Sequence, residues 1–590
     1  MARNRFDVDE ELVEEFDYRQ LVRSLDYVKK YKGLFFGAFS FSMISVILGL
    51  LMPLFTKDAI DVMIPAKDVK SLIWCGIAVV AIIIAQAACN RMRSRFSALA
   101  GQAIIRDIRR DLYVHLQYLP FDYFDSRPHG KILVRVINYV NSVSDFLTNG
   151  IVNILLQLIS LVVIAIFMLF VNAKLSLVVF AGLPIFLIYI LSIKKKQRLA
   201  WQIQANKHSN FTAYLAESIN GEHVSQSFAR EDYNCNINTH LTTEARDSYM
   251  HAIILNHSVW PLTMIISRAV FYSIYLIGVV YMRSSIKVGM LVAMTSYSNN
   301  FWNPMITLSD YYNQMINTAS YLERIFELMD APISVTDKPN AEVLPPIKGQ
   351  VDFDHVIFEY EKDHPILKDV SFHVDPGTSI ALVGPTGAGK STIINLVSRF
   401  YNIKSGQVRI DGHDIANVTL RSLRSQMGIM LQDTFIFSGT IMENIRYGRL
   451  DATDEECIAA AKQVYADDFI SKMPKGYYTE INENGDMLSA GQRQLLSFAR
   501  TLLSDPKILI LDEATSSIDT NTELLVQEGI KSLLKNRTSF VVAHRLSTIK
   551  DCTTIMYVND GQIMERGNHE ALMAKKGLYY ELYTSQLSNN

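Results

Sequence analysis

The chain has 590 residues, too many for one hydrophobic core, so several domains are expected. Its net charge of −2 removes any bulk electrostatic case for nucleic-acid binding, and its five scattered cysteines (Cys75, Cys89, Cys235, Cys457, Cys552) show neither a disulfide framework nor a metal-ligand spacing. The 49% hydrophobic content averages two unlike halves: long apolar runs come first, and a stretch of soluble character follows.

In chain order, residues 7–15 are acidic, which excludes a basic signal or transit peptide. Residues 18–32 interleave Leu21, Val22, Leu25 and Val28 with Arg19, Arg23, Lys29 and Lys30, the pattern of an amphipathic helix lying on a membrane surface. Segment 1–32 therefore reads as a lead-in to the membrane domain.

A membrane-crossing helix needs about 20 mostly apolar residues. Six stretches qualify, at 33–55, 71–89, 149–171, 175–193, 259–282 and 288–308, within a membrane domain at 33–329. The long polar connections 91–147 and 194–257 open on Arg91, Arg93, Arg95 and on Lys194, Lys195, Lys196, Arg198. Positive charge of this kind marks the cytoplasmic side, although Lys57, Lys67 and Lys70 blur the bias. The expected protein is multi-pass in the cytoplasmic membrane, with both termini in the cytosol. Residues 98–115 and 210–228 keep helical periodicity with charged faces. They read either as membrane helices prolonged into the cytosol or as separate soluble helices.

Polar residues inside the spans are candidates for a substrate path. Arg268 lies within the fifth span, where a charge costs about 2.5–3.5 kcal/mol and so needs a cavity or a partner. The sixth span holds Tyr297, Asn299, Asn300 and Trp302 in one aromatic and amide-rich stretch. Helix–helix hydrogen bonding is the alternative use for both features.

Residues 330–349 are rich in Pro and Asp and read as a linker; a soluble α/β domain follows at 350–588. Within it, Gly384-Pro385-Thr386-Gly387-Ala388-Gly389-Lys390-Ser391-Thr392 fits the phosphate-loop pattern. Its glycines let backbone N–H groups turn toward phosphate, and the following helix adds its positive end. Lys390 can reach the β- and γ-phosphates, and Ser391 can ligate Mg²⁺. The strand 508–512 ends in Asp512, placed to hold Mg²⁺, with Glu513 beside it to polarise a water. The chain is expected to bind a nucleoside triphosphate.

Between these motifs, Leu488-Ser489-Ala490-Gly491-Gln492 resembles the L-S-G-G-Q signature of ATP-binding-cassette transporters. Tyr360 resembles the family's adenine-stacking aromatic, and Gln432 its Q-loop residue linking Mg²⁺ to the membrane domain. Ser517-Ile518-Asp519 resembles the D-loop, and His544 the switch histidine at the γ-phosphate. The resemblance covers nearly the whole chain. It implies an all-α six-helix transmembrane domain fused to an α/β P-loop nucleotide-binding domain, an exporter half-transporter. Two cassettes would clamp two ATP molecules, each between one chain's phosphate loop and the other's signature, as an ATPase driving efflux. The segments near 123–135 and 217–230 resemble the family's coupling regions.

Two departures stand out. Ala490 replaces the usual glycine, and Thr479-Glu480-Ile481-Asn482-Glu483-Asn484-Gly485 strays from T-x-V-G-E-[RK]-G, while Glu513 and His544 are kept. This mixture resembles one subunit of a heterodimeric exporter; a homodimer tolerating Ala490 is the alternative. The expected cargo is an amphipathic or hydrophobic compound, with a lipid flippase or an ATP-gated channel as other readings.

Overall fold

The computed structural model describes residues 18–126, 129–280, 286–361, 363–430, 434–482, 485, 487–512, 520–542 and 546–588. It forms two compact units, Met1–Gln117 with Pro128–Ala331, and Tyr118–Arg127 with Pro332–Asn590. The acidic 7–15 stretch lies outside the described residues.

The first unit is helical. Its principal helices are α1 (Tyr18–Lys30), α2 (Lys32–Asp58) and α3 (Val69–Tyr118). After the short α4 (Phe121–Asp125), which belongs to the second unit, come α5 (Ile151–Phe180) and α6 (Leu183–Asn220). The series ends with α7 (Glu222–Ser227), α8 (Glu231–His257), α9 (Val259–Val280) and α10 (Val288–Met329). Among the described residues, four helical stretches are apolar and long enough to cross a bilayer: Lys32–Met63, Val69–Tyr118, Ile132–Phe180 and Glu231–Val280. The windows beginning α6 and α10 are diluted, by charge after Ile193 and by asparagines from Asn299.

The expected third span lies in α5, which breaks at Asn172 (φ −161°, ψ 104°); the expected fourth span starts after that break and continues past Phe180 into α6. The Asn172 side chain then accepts from Leu175 N at 3.1 Å, as a helix N-cap does. Asp61 does the same service from a distance: its carboxylate accepts from Gly289 N at 2.6 Å and caps the start of α10. The 50 residues of α3 would extend about 75 Å, far beyond the roughly 30 Å of a hydrocarbon core. The periodicity at 98–115 therefore belongs to a prolonged membrane helix. Residues 210–220 likewise end α6; Gly221 then turns the chain into α7, which Asn234 of α8 holds through Ser225 Oγ at 2.7 Å.

α1 is bolted to the far end of the same unit. Arg23 donates twice to Asp330 (2.5 and 2.8 Å), its guanidinium lies 4.2 Å from the centre of the Phe326 ring, and Tyr27 donates to Asp111 at 2.9 Å. Lys30 and Tyr31 share Asp107. Exposed ion pairs contribute only about 0–1 kcal/mol each. The clamp ties α1 at two places, to the exit of α10 through Asp330 and Phe326 and to α3 through Asp107 and Asp111.

Among its described residues the second unit carries three sheets. The antiparallel one runs β2-β1-β4-β5, using β1 (Val351–Glu361), β2 (His364–Val374), β4 (Ser405–Ile410) and β5 (His413–Asp414). The central one runs β12-β11-β3-β10-β9-β6. Its strands are β3 (Ser379–Val383), β6 (Met427–Met430), β9 (Ile508–Asp512), β10 (Thr538–Val542), β11 (Thr554–Asn559) and β12 (Gln562–Gly567). A small pair joins β7 (Gly439–Thr440) to β8 (Glu480–Ile481). In the central sheet only β12 runs antiparallel to its neighbour. Successive side chains alternate faces: Ile380, Leu382, Ile508, Ile510, Phe540 and Val542 enter one core, and Ala381, Val383, Leu509, Leu511 and Val541 the other.

The segment expected as a linker is strapped onto this unit from Pro332 onward. Arg399 donates to Thr336 O and Val418 O, Leu344 N donates to Ser422 Oγ, and Ile347 N donates to Gln426 Oε1. The prolines prevent a helix there, and cassette side chains take up the backbone groups left over.

Candidate nucleotide site

β3 is buried between β10 and β11 and delivers the chain to Gly384. Gly384 has φ +140°, and a Cβ there would sit 2.0 Å from the Val558 carbonyl oxygen. Gly389 has φ +104° and stands just before α11 (Lys390–Val397). No other residue type fits Gly384, because both its dihedral and its surroundings exclude a side chain. Between them run Pro385, Thr386, Gly387 and Ala388; Gly387 is also left-handed (φ +82°), and Ala388 is buried.

Lys390 is 7% exposed. Its ammonium donates to Gly384 O at 2.9 Å and Pro385 O at 2.8 Å, closing the loop on itself. Burial holds its pKa below the ordinary lysine value, and the Asp512 carboxylate opposes that shift. A buried cation, inward-turning backbone and a helix start together form a donor-rich cradle suited to a polyphosphate. Ser391 and Asp512, an hydroxyl and a carboxylate, are the hard oxygen donors that Mg²⁺ prefers.

The strand pairings place the other motifs. Val542 of β10 is in register with Leu382 of β3 and Asp512 of β9, and Met430 of β6 with Leu511. Four parallel strands thus end along one edge. The phosphate loop leaves from β3, and Asp512 closes β9. Gln432, Glu513, Ser517-Ile518-Asp519 and His544 lie outside the described residues, as do Glu483 and Asn484 of the divergent segment. Gln432, Glu513 and His544 fall within two residues of the ends of β6, β9 and β10 respectively. Ligand sites of open α/β sheets form outside such carboxyl ends.

Tyr360, in β1, places its hydroxyl 3.3 Å from Thr392 Oγ1 in the first turn of α11. Its half-open ring meets Tyr401 edge-on at 5.0 Å. Tyr401 in turn donates to Asp125 of α4 at 2.7 Å, and Phe400 packs on Phe121 of α4 at 4.3 Å. Burial and the Asp125 contact raise the Tyr401 pKa, so it remains a neutral donor. Aromatic and hydrogen-bond contacts thus run unbroken from beside the phosphate loop to a helix supplied by the loop between α3 and α5. The segment near 123–135, expected from its resemblance to a coupling region, begins within α4; sequence reasoning missed its partner Tyr401, whose local signal is an aromatic pair after α11.

The signature opens α12 (Ala490–Leu503). Ser489 Oγ accepts from Gln492 N, and Gln492 Oε1 accepts from Ser489 N, a complete capping box. Ala490 is the first helical residue and has no positive φ, and Gly491 behind it is buried. The alanine therefore costs the backbone nothing; its effect is the added methyl at a helix start.

In the membrane unit the substrate candidates separate by face. Tyr297 is fully buried and donates to Leu50 O at 2.7 Å, and Trp302 is 2% exposed beside Phe186 and Phe301. Asn299 and Asn300 are exposed, as is Asn303 at the end of the same amide-rich stretch. Arg268 is exposed on α9, one turn from Tyr272.

Residues 35–305 match the ABC transporter transmembrane region family, and residues 367–516 match the ABC transporter family. The chain is 40% identical over 596 residues to the ABC transporter ATP-binding protein YknV of Bacillus subtilis, covering 100% of this chain and 98% of that one. The chain is an ABC exporter. A putative multidrug export ATP-binding/permease protein of Staphylococcus aureus is 36% identical over 581 residues (96% and 99% covered). A fatty acid ABC transporter ATP-binding/permease protein of Mycobacterium tuberculosis is 36% identical over 496 residues (83% and 78% covered). A bacterial Atm1-family ABC exporter with ATP bound superposes with a TM-score of 0.80 at 28% identity, covering 97% of this chain and 99% of that one. The fused helical and ATP-binding parts expected from the sequence are thus present in one exporter chain.

Three outcomes follow for the exporter. Gly384→Ala meets the Val558 carbonyl and forces a costly φ, so ATP affinity should drop by about ten-fold or more in a nucleotide titration; wild-type affinity would contradict the loop geometry. Ala490→Gly should leave folding intact and raise turnover of the assembled transporter by about two-fold or more, since it removes only a methyl; unchanged ATPase would show that the methyl is harmless. Tyr401→Phe keeps the ring but loses the bond to Asp125. ATP affinity should stay within about two-fold while cargo stimulation of ATPase falls by about half, and full stimulation would exclude this contact from coupling.

Proposed function

We propose that the chain is one half of a dimeric ATPase that exports hydrophobic or amphipathic compounds across the cytoplasmic membrane. The observation that carries this reading is the shared edge of β3, β10, β9 and β6, where the phosphate loop leaves β3 and Asp512 closes β9; Gln432, Glu513 and His544 follow β6, β9 and β10 within two residues in the sequence. Lys390, the loop N–H groups and Thr392 hold the triphosphate, and Tyr360 stacks on adenine. Ser391, Asp512 and Gln432 would hold Mg²⁺, which neutralises phosphate charge when bound. Glu513 orients and deprotonates the attacking water, and His544 senses the γ-phosphate. Asp519 and the residues Ser489 to Gln492 serve the opposite site of the dimer.

Support for a second half comes from unburied apolar surface. On and beside α7, Val224 and Phe228 are 62% and 72% exposed, and the cassette exposes Phe435, Phe437 and Leu450. Patches of this kind suit docking across a dimer. Ala490 favours a heterodimer, in which the methyl slows one of two sites.

The cargo path uses the open face of α10. Asn299, Asn300 and Asn303 would be costly against lipid, so they face a water-filled path or the partner. Arg268 lines the same path from α9, and Tyr297 and Trp302 hold the helix that presents it. ATP can turn this path outward only by binding the closed dimer more tightly than the open one. The fatty acid named for the Mycobacterium relative supports lipid as a second cargo class.

The test is Glu513→Gln in the purified chain, alone and with a second half-transporter. ATPase should fall by about a hundred-fold or more with ATP binding retained. Wild-type turnover in that variant would remove Glu513 as the base, and full cargo-stimulated turnover by the isolated chain would remove the heterodimer.

A further inference from the structure

At the cytosolic ends of three expected spans, the membrane unit holds a polar cluster that the nucleotide chemistry does not use. Arg93 lies on α3, four residues past the expected end of the second span; Asn153 lies in the first turn of α5; Tyr311 lies on α10, three residues past the sixth span. All three are half-buried. Arg93 Nη1 donates to Asn153 Oδ1 at 3.3 Å, and Asn153 Nδ2 donates to the Tyr311 hydroxyl oxygen at 2.7 Å.

The cluster has too many donors. A guanidinium offers five N–H groups. Here one reaches Asn153, Nε is closed off from solvent with no acceptor, and among the described residues no carboxylate pairs with Arg93. Tyr311 receives its hydrogen bond from Asn153, and among the described residues its own O–H hydrogen has no acceptor. An arginine remains charged at any physiological pH, and a partly buried unpaired charge is costly. What completes such a cluster is a compact oxyanion, which guanidinium binds through two parallel hydrogen bonds.

We propose that Arg93, Asn153 and Tyr311 form a receptor for the carboxylate or phosphate head of an anionic amphiphile. This rests on the exporter reading and narrows its cargo. The level of the cluster sets the geometry: the head is held at the inner interface, and the tail remains in the hydrocarbon next to the span ends. The same chemistry could come from free cargo or from a bilayer lipid.

The test uses the assembled transporter in nanodiscs of phosphatidylcholine, without nucleotide, titrated with dodecanoate and with dodecanol. Wild type should bind dodecanoate about ten-fold more tightly than dodecanol, and Arg93→Gln should bring the two within about two-fold while dodecanol binding is unchanged. Arg93→Lys should retain part of the preference. If Arg93→Gln does not fold, Tyr311→Phe serves, with dodecanoate alone weakened by about three-fold. Adding phosphatidylglycerol identifies the source: competition with dodecanoate makes a bilayer lipid the occupant, and no competition makes it free cargo. Equal binding of acid and alcohol by wild type, or an unchanged preference in Arg93→Gln, overturns the proposal. ATP-driven transport of a neutral dye by the same transporter reconstituted in sealed vesicles would show that the exporter reading survives that failure.

Discussion

A phosphate-binding loop functions only where backbone N–H groups can converge, and here convergence depends on a position that cannot carry a side chain. Gly384 is pressed against the Val558 carbonyl by the pairing of β3 with β11, and the same pairing fixes where the loop leaves the sheet. The parallel neighbours β10, β9 and β6 then bring their own ends to that edge in register. One local steric constraint and one ladder of strands account for the meeting of motifs more than a hundred residues apart.

The nucleotide edge is not insulated from the rest of the chain. α11, which begins at Lys390, leads within a few residues to Phe400 and Tyr401, which grip α4 from a loop nearly 300 residues earlier. Tyr360 touches both Thr392 and Tyr401, so a base stacked on it would bear on the same contacts. In the helical unit, α1 and Asp61 brace the two ends of α10, the helix that exposes Asn299, Asn300 and Asn303. Bracing at both ends suits an element that must move as one body.

How much of this the sequence disclosed depends on the range of the interaction. The phosphate loop was legible because glycine spacing encodes a local backbone path, and the apolar strand before Glu513 was legible because a strand buried on both faces is continuously apolar. Four of the six expected membrane spans were legible by length and hydropathy, whereas the stretches at α6 and α10 are diluted by charge and by asparagine. The faces of the sixth span were grouped together, although a helix turns about 100° per residue and so separates Tyr297 and Trp302 from Asn299 and Asn300. Tyr401 was illegible, since its partner Asp125 is 276 positions away. The strapped segment after Pro332 was half legible: its prolines announce the absence of a helix, but not that Ser422, Gln426 and Arg399 take up its backbone.

The central claim is that nucleotide held at the sheet edge moves cargo through the helical unit. The direct measurement is flux: sealed inside-out vesicles containing the complete transporter, supplied with ATP and a panel of fluorescent amphiphiles. The account predicts ATP-dependent accumulation of at least one amphiphile inside the vesicles, abolished when Lys390 is replaced by alanine. Steady ATP splitting with no movement of any compound across the bilayer would contradict it.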